Sequence, residues 1–260
     1  MAKVKMTSRI LSQECLAPDI YSLWLEAGEI AAQAKPGQFI SVYCGDSGRI
    51  LPRPISICEI DREKGALRIV YRIAGKGTAE FAGMEAGETL DILGPLGNGF
   101  PMEEIEGKRV FLMGGGIGIP PMVQTAKEAK AAEVTVIAGY RNSDVFLKDE
   151  LEASARLMIA TEDGSLGTKG NVLDAVRENG LQGDVIFACG PTPMLRAIKE
   201  YALEHEMTCY ISMEEKMACG IGACLACVCK SKEVDHHSNV KNKRICKDGP
   251  VFLSTEVELG

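Results

Sequence analysis

The sequence has no apolar run long enough to cross a bilayer, which takes about 20 consecutive residues. Met1 to Ile10 mixes polar and apolar residues and lacks the continuous apolar stretch of an export signal. Positive charge is not in excess: 29 Lys and Arg face 36 Asp and Glu, for a net charge of −7. A field of that sign favours neither nucleic acid nor an anionic membrane. Internal repeats and low-complexity tracts are also missing. With 46% hydrophobic and 25% charged residues, the composition excludes long disorder. The expectation is a cytoplasmic protein with no nucleic-acid or membrane partner. At 260 residues it is long enough to fold as more than one compact body.

Cysteine, by contrast, is abundant, at 10 residues. Cys15, Cys44, Cys58, Cys189 and Cys209 are scattered, mostly in apolar surroundings, where a small buried hydrophobe is the ordinary role. Cys219, Cys224, Cys227, Cys229 and Cys246 crowd the C-terminal end. A disulfide framework fits poorly without an export signal and in a chain that folds without staples.

Three regions differ in their local grammar. Residues 1–103 carry short apolar or alternating runs between Gly and Pro: Ile20 to Leu25, Gln38 to Tyr43, Ile55 to Ile60, Leu67 to Ile73 and Thr89 to Leu93. These predict an antiparallel barrel, with one short helix from Gly75 to Met84. Residues 104–213 alternate strands with helices: strands Arg109 to Met113, Val134 to Tyr140, Leu157 to Thr161, Val185 to Cys189 and Tyr210 to Met213, helices Pro121 to Ala131, Leu147 to Ala153, Val172 to Asn179 and Thr192 to His205. That order predicts a doubly wound parallel sheet. Residues 214–260 are rich in Cys, Gly and Lys, with little apolar material to order them; a metal cluster would supply what a core cannot.

The spacing Cys219-x4-Cys224-x2-Cys227, followed by a distant cysteine, is the plant-type [2Fe-2S] arrangement. Gly220 and Gly222 let the backbone bend closely round inorganic sulfur, and Ala223 and Ala226 are small. Cys246 is the best fourth ligand. Cys229 competes, but on an extended segment it faces partly away from Cys227. A [4Fe-4S] centre and structural zinc are the alternatives, and neither favours an x4/x2 spacing. A Rieske-type site would recruit His236 and His237, which are read instead as solvated loop residues.

Two glycine turns follow strands. Gly114-Gly115-Gly116-Ile117-Gly118 precedes a helix, where exposed amides bind a pyrophosphate; read alone, it is equally a tight strand-to-helix turn. Cys189-Gly190-Pro191-Thr192-Pro193-Met194 is the second. Turns at the ends of neighbouring parallel strands frame a dinucleotide crevice. In the first region, Arg53-Pro54-Ile55-Ser56 and Gly75-Lys76-Gly77-Thr78 pair an arginine with an amide-rich turn, which suits a phosphate. Tyr71 is either a ring against a flavin or a barrel core residue, and Arg53 is either a phosphate ligand or a surface cation.

In this order the motifs resemble the ferredoxin–NADP reductase superfamily. Over essentially the whole chain they are most similar to the PyrK-type electron-transfer subunits of class 1B dihydroorotate dehydrogenases, a likeness carried also by Cys246-Lys247-Asp248-Gly249-Pro250-Val251-Phe252. The resemblance implies a six-stranded FAD-binding barrel (1–103), an NAD-binding α/β domain (104–213) and a small [2Fe-2S] subdomain (214–260). Arg53 to Ser56, with Pro54 and Ile55 between, would contact the phosphate and flavin portions of FAD. Ile69, Val70 and Tyr71 would line the flavin, and Gly77 and Thr78 would hold the pyrophosphate. Nicotinamide of NAD(H), the cosubstrate, would enter between Gly116 and Cys189, among Gly115, Gly118, Gly190, Pro191 and Met194. The cluster ligands would be Cys219, Cys224, Cys227 and Cys246. The loop from Cys227 to Cys246 is longer than the pattern leads one to expect. The resemblance further implies an FMN-containing catalytic subunit as partner, in a heterotetramer with two copies of each chain. Electrons from dihydroorotate oxidation would return through the cluster and FAD to NAD+ in pyrimidine biosynthesis. Alone, the chain would be a diaphorase, with no side chain serving as catalytic acid or base. The alternative is the flavin/iron–sulfur subunit of an NADH-dependent ferredoxin–NADP oxidoreductase or of a sulfide dehydrogenase-like complex.

Overall fold

A computed structural model describes residues 3–235 and 239–259, so His236 and His237 lie outside the described residues. The first part of the chain forms β1 (Val4–Ala17), β2 (Ile20–Glu26), α1 (Gly28–Gln33), β3 (Phe39–Val42), β4 (Arg53–Asp61), β5 (Ala66–Arg72), α2 (Lys76–Ala82) and β6 (Thr89–Leu96). The six strands close a barrel in the order β1-β2-β5-β4-β3-β6, every neighbour antiparallel. Alternate side chains point inward, and Leu23, Leu25, Ile40, Val42, Ile57, Ile69 and Ile92 fill the interior. The short apolar runs did not reveal β1. Its Lys5, Thr7 and Arg9 face solvent and only Ser8 and Ile10 are fully covered, so it lacks an apolar stripe.

The second part contains β7 (Arg109–Gly115), α3 (Pro120–Glu128), β8 (Glu133–Tyr140), α4 (Lys148–Glu152), β9 (Arg156–Thr161), β10 (Thr168–Lys169), α5 (Val172–Glu178), β11 (Val185–Cys189), α6 (Thr192–Glu204) and β12 (Thr208–Ser212). The C-terminal part adds β13 (Val228–Lys230), β14 (Asn242–Arg244), α7 (Ile245–Asp248) and β15 (Val251–Leu253). The central sheet runs β10-β9-β8-β7-β11-β12-β15. It is parallel except for β15, which returns antiparallel to β12. The chain walks outward from β7 to β10, then restarts on the other side at β11. The switch between β7 and β11 is where α/β sheets bind ligands.

β15 was not foreseen, because three residues are too few to show a period. Its pairing means that the cysteine-rich segment has no core of its own. Cys227, Ile245, Cys246, Phe252 and Val257 share one buried cluster with Ile186 and Leu195 of the sheet domain and with Phe39 and Leu96 of the barrel. No helix among the described residues is long and apolar enough to cross a membrane.

Candidate functional site

A groove opens where β4 and β5 part. Their ladder runs from Asp61 and Ala66 to Ile57 and Ile69 and stops there. Beyond Ile57, β4 pairs with β3 on its other side, Ser56 opposite Phe39 and Arg53 opposite Val42. Arg53 to Ser56 therefore form one lip and Val70 to Arg72 the other. At the foot, the Arg53 guanidinium lies directly on Gly77: a Cβ there would stand 2.5 Å from Nε, so any side chain would expel the arginine. Arg53 Nη1 also donates to the Leu51 carbonyl. A cation against an amide-rich turn is an arrangement that fits a phosphate. The Thr78 hydroxyl is engaged, accepting the amides of Ala74 at 2.9 Å and Gly75 at 3.2 Å, so what Thr78 presents to a ligand is its own amide.

Ile69, Val70 and Tyr71 are all buried. The Tyr71 ring takes the core role: it stacks on Tyr21 at 6.0 Å, meets Phe81 edge-on at 6.1 Å, and donates its hydroxyl to Gln13 at 3.1 Å. Burial raises its pKa. Ile69 and Tyr71 turn their side chains into the barrel, and Val70 packs outward in the cluster shared with the sheet domain.

The two glycine turns are in direct contact. Cys189 sits opposite Gly114 in the parallel ladder. Gly118 rests on the Cys189 carbonyl so closely that no side chain fits, and a Cβ on Gly115 would stand 2.5 Å from Met194 Sδ. β5 touches the Gly116–Gly118 turn, which brings groove and crevice together. The Cys189 thiol is buried and burial pushes its pKa up, so it is a neutral thiol. A cleft of about 560 Å³ opens between Gly190 to Thr192 and β13, lined also by Met213, Glu214, Cys229 and Lys230. Glu214 stands at its mouth, exposed to solvent on one side, and the cleft wall on the other raises its carboxyl pKa, against the pull of Arg72. Glu214 was legible in sequence only as the start of the third region.

The cysteines gather as two pairs. Burial works to raise Cys219, but hydrogen bonds from Ile221, Cys224 and Ala223 prevail and bring it down to about 6. The Ile221 and Ala223 amides reach its sulfur at 3.4 and 3.3 Å. Cys227 is paired with Cys246, which lowers Cys227 to about 6 and raises Cys246. The Cys246 amide donates to the Cys227 sulfur at 3.4 Å. These amides favour thiolates. Among the described residues no three His, Cys, Asp or Glu close around a single metal position. Paired thiolates instead suit a centre with two metal atoms. Cys229 stands apart: its thiol donates to the Lys243 carbonyl at 3.6 Å and burial lifts it to about 11.

Two seams hold these parts together, and sequence reasoning missed the residues of both. Between barrel and sheet domain, Arg68 donates to Glu59 at 2.6 Å, to Glu150 at 2.9 Å and to Ser22 at 2.8 Å. Lys127 of α3 also pairs with Glu59. Gln124 accepts the Ile60 amide at 2.8 Å. Between barrel and cysteine segment, Asn98 pairs with Val251 like a strand, at 3.0 Å and 2.7 Å. Inside the cysteine segment, buried Arg244 grips Asp248 at 3.1 Å and the Gly222 carbonyl at 3.3 Å, pinning the loop. In the sequence Arg244 reads as one more cation of a basic loop.

Comparison with known proteins accords with this layout. Residues 214–258 match the iron–sulfur cluster binding domain of dihydroorotate dehydrogenase B, and residues 112–200 match the oxidoreductase NAD-binding domain. The chain is 42% identical to the dihydroorotate dehydrogenase B (NAD(+)) electron transfer subunit of Bacillus caldolyticus, over 96% of this chain and 97% of that one. It is 40% identical to that of Streptococcus pneumoniae, over 97% and 98%. The solved NADH-dependent reduced ferredoxin–NADP oxidoreductase superposes with a TM-score of 0.86 at 30% identity, covering 97% of this chain and 90% of its own. A ferredoxin NADP+ reductase from Neisseria gonorrhoeae, at 19% identity, a TM-score of 0.67 and coverage of 82% and 95%, shares the fold. With relatives of this identity along its whole length, the chain belongs to the family of dihydroorotate dehydrogenase B electron-transfer subunits.

Proposed function

We propose that this chain is the NAD-linked electron-transfer subunit of a dihydroorotate dehydrogenase in pyrimidine biosynthesis. It works with an FMN-containing catalytic subunit, two copies of each. The observation that carries the reading is the position of the β4 start. Arg53 to Ser56 form a lip of the groove, the groove's other strand touches the Gly116–Gly118 turn, and β4 pairs with β3, whose Phe39 shares a buried cluster with Cys227 and Cys246.

FAD, when bound, exchanges electrons as a pair with nicotinamide and singly with a [2Fe-2S] centre. The remaining work is done by this chain's residues. Arg53 and the amides of Gly77 and Thr78 hold the phosphates, while Pro54, Ile55 and Ser56, with the backbone of Ile69 to Tyr71, bound the flavin. Gly116, with open space where a Cβ would stand, admits the dinucleotide, and Gly115 and Gly118 let the two turns that bound it close on each other. Gly190, Pro191 and Met194 form the opposite wall, and buried Cys189 packs as a neutral thiol. Cys219, Cys224, Cys227 and Cys246 would hold the [2Fe-2S] centre, which would supply one-electron transfer. Domain limits at 103/104 and 213/214 divide these tasks. No side chain acts as acid or base.

The test is reconstitution. Chain and FMN subunit together should catalyse dihydroorotate-dependent reduction of NAD+. The chain alone should reduce artificial acceptors with NADH but not oxidise dihydroorotate. A colourless purified chain without flavin or iron would overturn the reading.

A further inference from the structure

Ser41 is fully buried, and its Oγ is the one buried side-chain oxygen or nitrogen among the described residues without a hydrogen-bond partner. A buried hydroxyl in that state is destabilising, and native proteins rarely leave one so. Its surroundings indicate what completes it. Ile40 and Val42 point into the barrel core, so by strand alternation Phe39 and Ser41 point outward. On that outer face Phe39 shares a buried cluster with Cys227 and Cys246. Directly over Ser41 lies Gly220, the residue after Cys219: a Cβ on Gly220 would stand 3.0 Å from Ser41 Oγ. Across the ladder Ser41 faces Pro54 of the flavin lip.

We propose that Ser41 is a positioning residue of the iron–sulfur centre: its hydroxyl donates a hydrogen bond to a cluster sulfur beside Cys219 and raises the reduction potential of the cluster. The inference rests on the reading that the cysteines hold such a cluster. A donor to sulfur stabilises the reduced centre more than the oxidised one, because reduction adds a negative charge to the sulfur cage. The hydroxyl comes from the barrel, not from the cysteine loop. It therefore links the potential of the electron's exit to the docking of the loop on the flavin-bearing strand pair.

The test uses the full chain with its cofactors and the variants S41A and S41T. The cluster is titrated anaerobically and followed by electron paramagnetic resonance. S41A should lower the midpoint potential by an amount equivalent to about tenfold in the one-electron equilibrium, about 59 mV, with flavin content unchanged. S41T, which keeps the hydroxyl, should stay at the wild-type potential. Electron–nuclear double resonance of the reduced cluster should show a deuterium-exchangeable proton coupling in wild type and S41T that is missing in S41A. Loss of the cluster in S41A but not in S41T would also support a hydroxyl contact. Equal potentials in S41A and wild type would overturn the proposal, as would loss of the cluster in both variants, which would point to side-chain volume. Absence of iron and sulfide from the wild-type chain would sink the underlying reading instead.

Discussion

The barrel is joined to its two neighbours by seams of different composition. Toward the sheet domain an apolar cluster of Ile20, Cys58 and Val70 with Ile119, Met122 and Val123 carries an ionic group beside it, in which Arg68 and Glu59 are buried and Lys127 and Glu150 part exposed. Toward the cysteine segment the contact is apolar and backbone-like, made by Phe39, Leu96, Phe252 and the Asn98–Val251 pairing. Buried ion pairs contribute little net stability but are directional, and breaking one strands its partner. Apolar contact adheres without fixing angle so tightly. The difference matches the two electron transfers. A hydride passes only between atoms held about 3–3.5 Å apart and aligned. Single electrons ask no such alignment of the cluster.

Removing a ligand should have the largest effect. C246S is expected to lose the cluster, measured as iron and sulfide content, while C229S retains it; the reverse would reassign the fourth ligand. Next comes the ionic seam. R68M frees Glu150 of α4 from the barrel and leaves Glu59 with Lys127 as its cation, for about 1–3 kcal/mol. Loosening the sheet domain against the barrel should also slow flavin reduction by NADH about tenfold or more, read by stopped-flow absorbance. An unchanged rate would show that this seam does not position the nicotinamide. At the other seam, N98A leaves two Val251 backbone groups unpaired, for about 1–3 kcal/mol. It should loosen β15 in hydrogen exchange and release the cluster on heating, with flavin retained.

Acid should distinguish the seams by a smaller margin. Burial raises the Glu59 carboxyl, but hydrogen bonds from Lys127 and Arg68 outweigh it and hold the pKa below the ordinary 4.5. Its contribution is therefore present above that value and is lost as the pH falls through the lower folded pKa. Glu214 is shifted the other way, upward, so its ionisation opposes folding as the pH rises. E214Q should consequently be slightly more stable than wild type at neutral pH and match it in acid, as thermal melts would show.

The motif residues were legible because their chemistry is local. Three cysteines sit within one loop, and Arg53 to Ser56 occupy one strand. The barrel and the alternating domain were legible from period. Long-range partnerships were not. Arg68 reads as an ordinary strand cation until Glu150 of α4 is brought against it. Ser41 is an unremarked polar residue until Gly220 covers it. Arg244 is hidden among lysines, and β15 becomes a strand only because β12 is waiting. Tyr71 shows the converse: sequence left its ring two roles, and packing against Tyr21 and Phe81 decided for the core.

The central claim is that electrons pass between nicotinamide and the cysteine centre only through the flavin held in the β4–β5 groove. Its most direct test is to strip the flavin from the full chain, mix it anaerobically with NADH, and follow the cluster by electron paramagnetic resonance. The expected result is no reduced-cluster signal until FAD is added back. Reduction of the cluster at an undiminished rate without flavin would contradict the account.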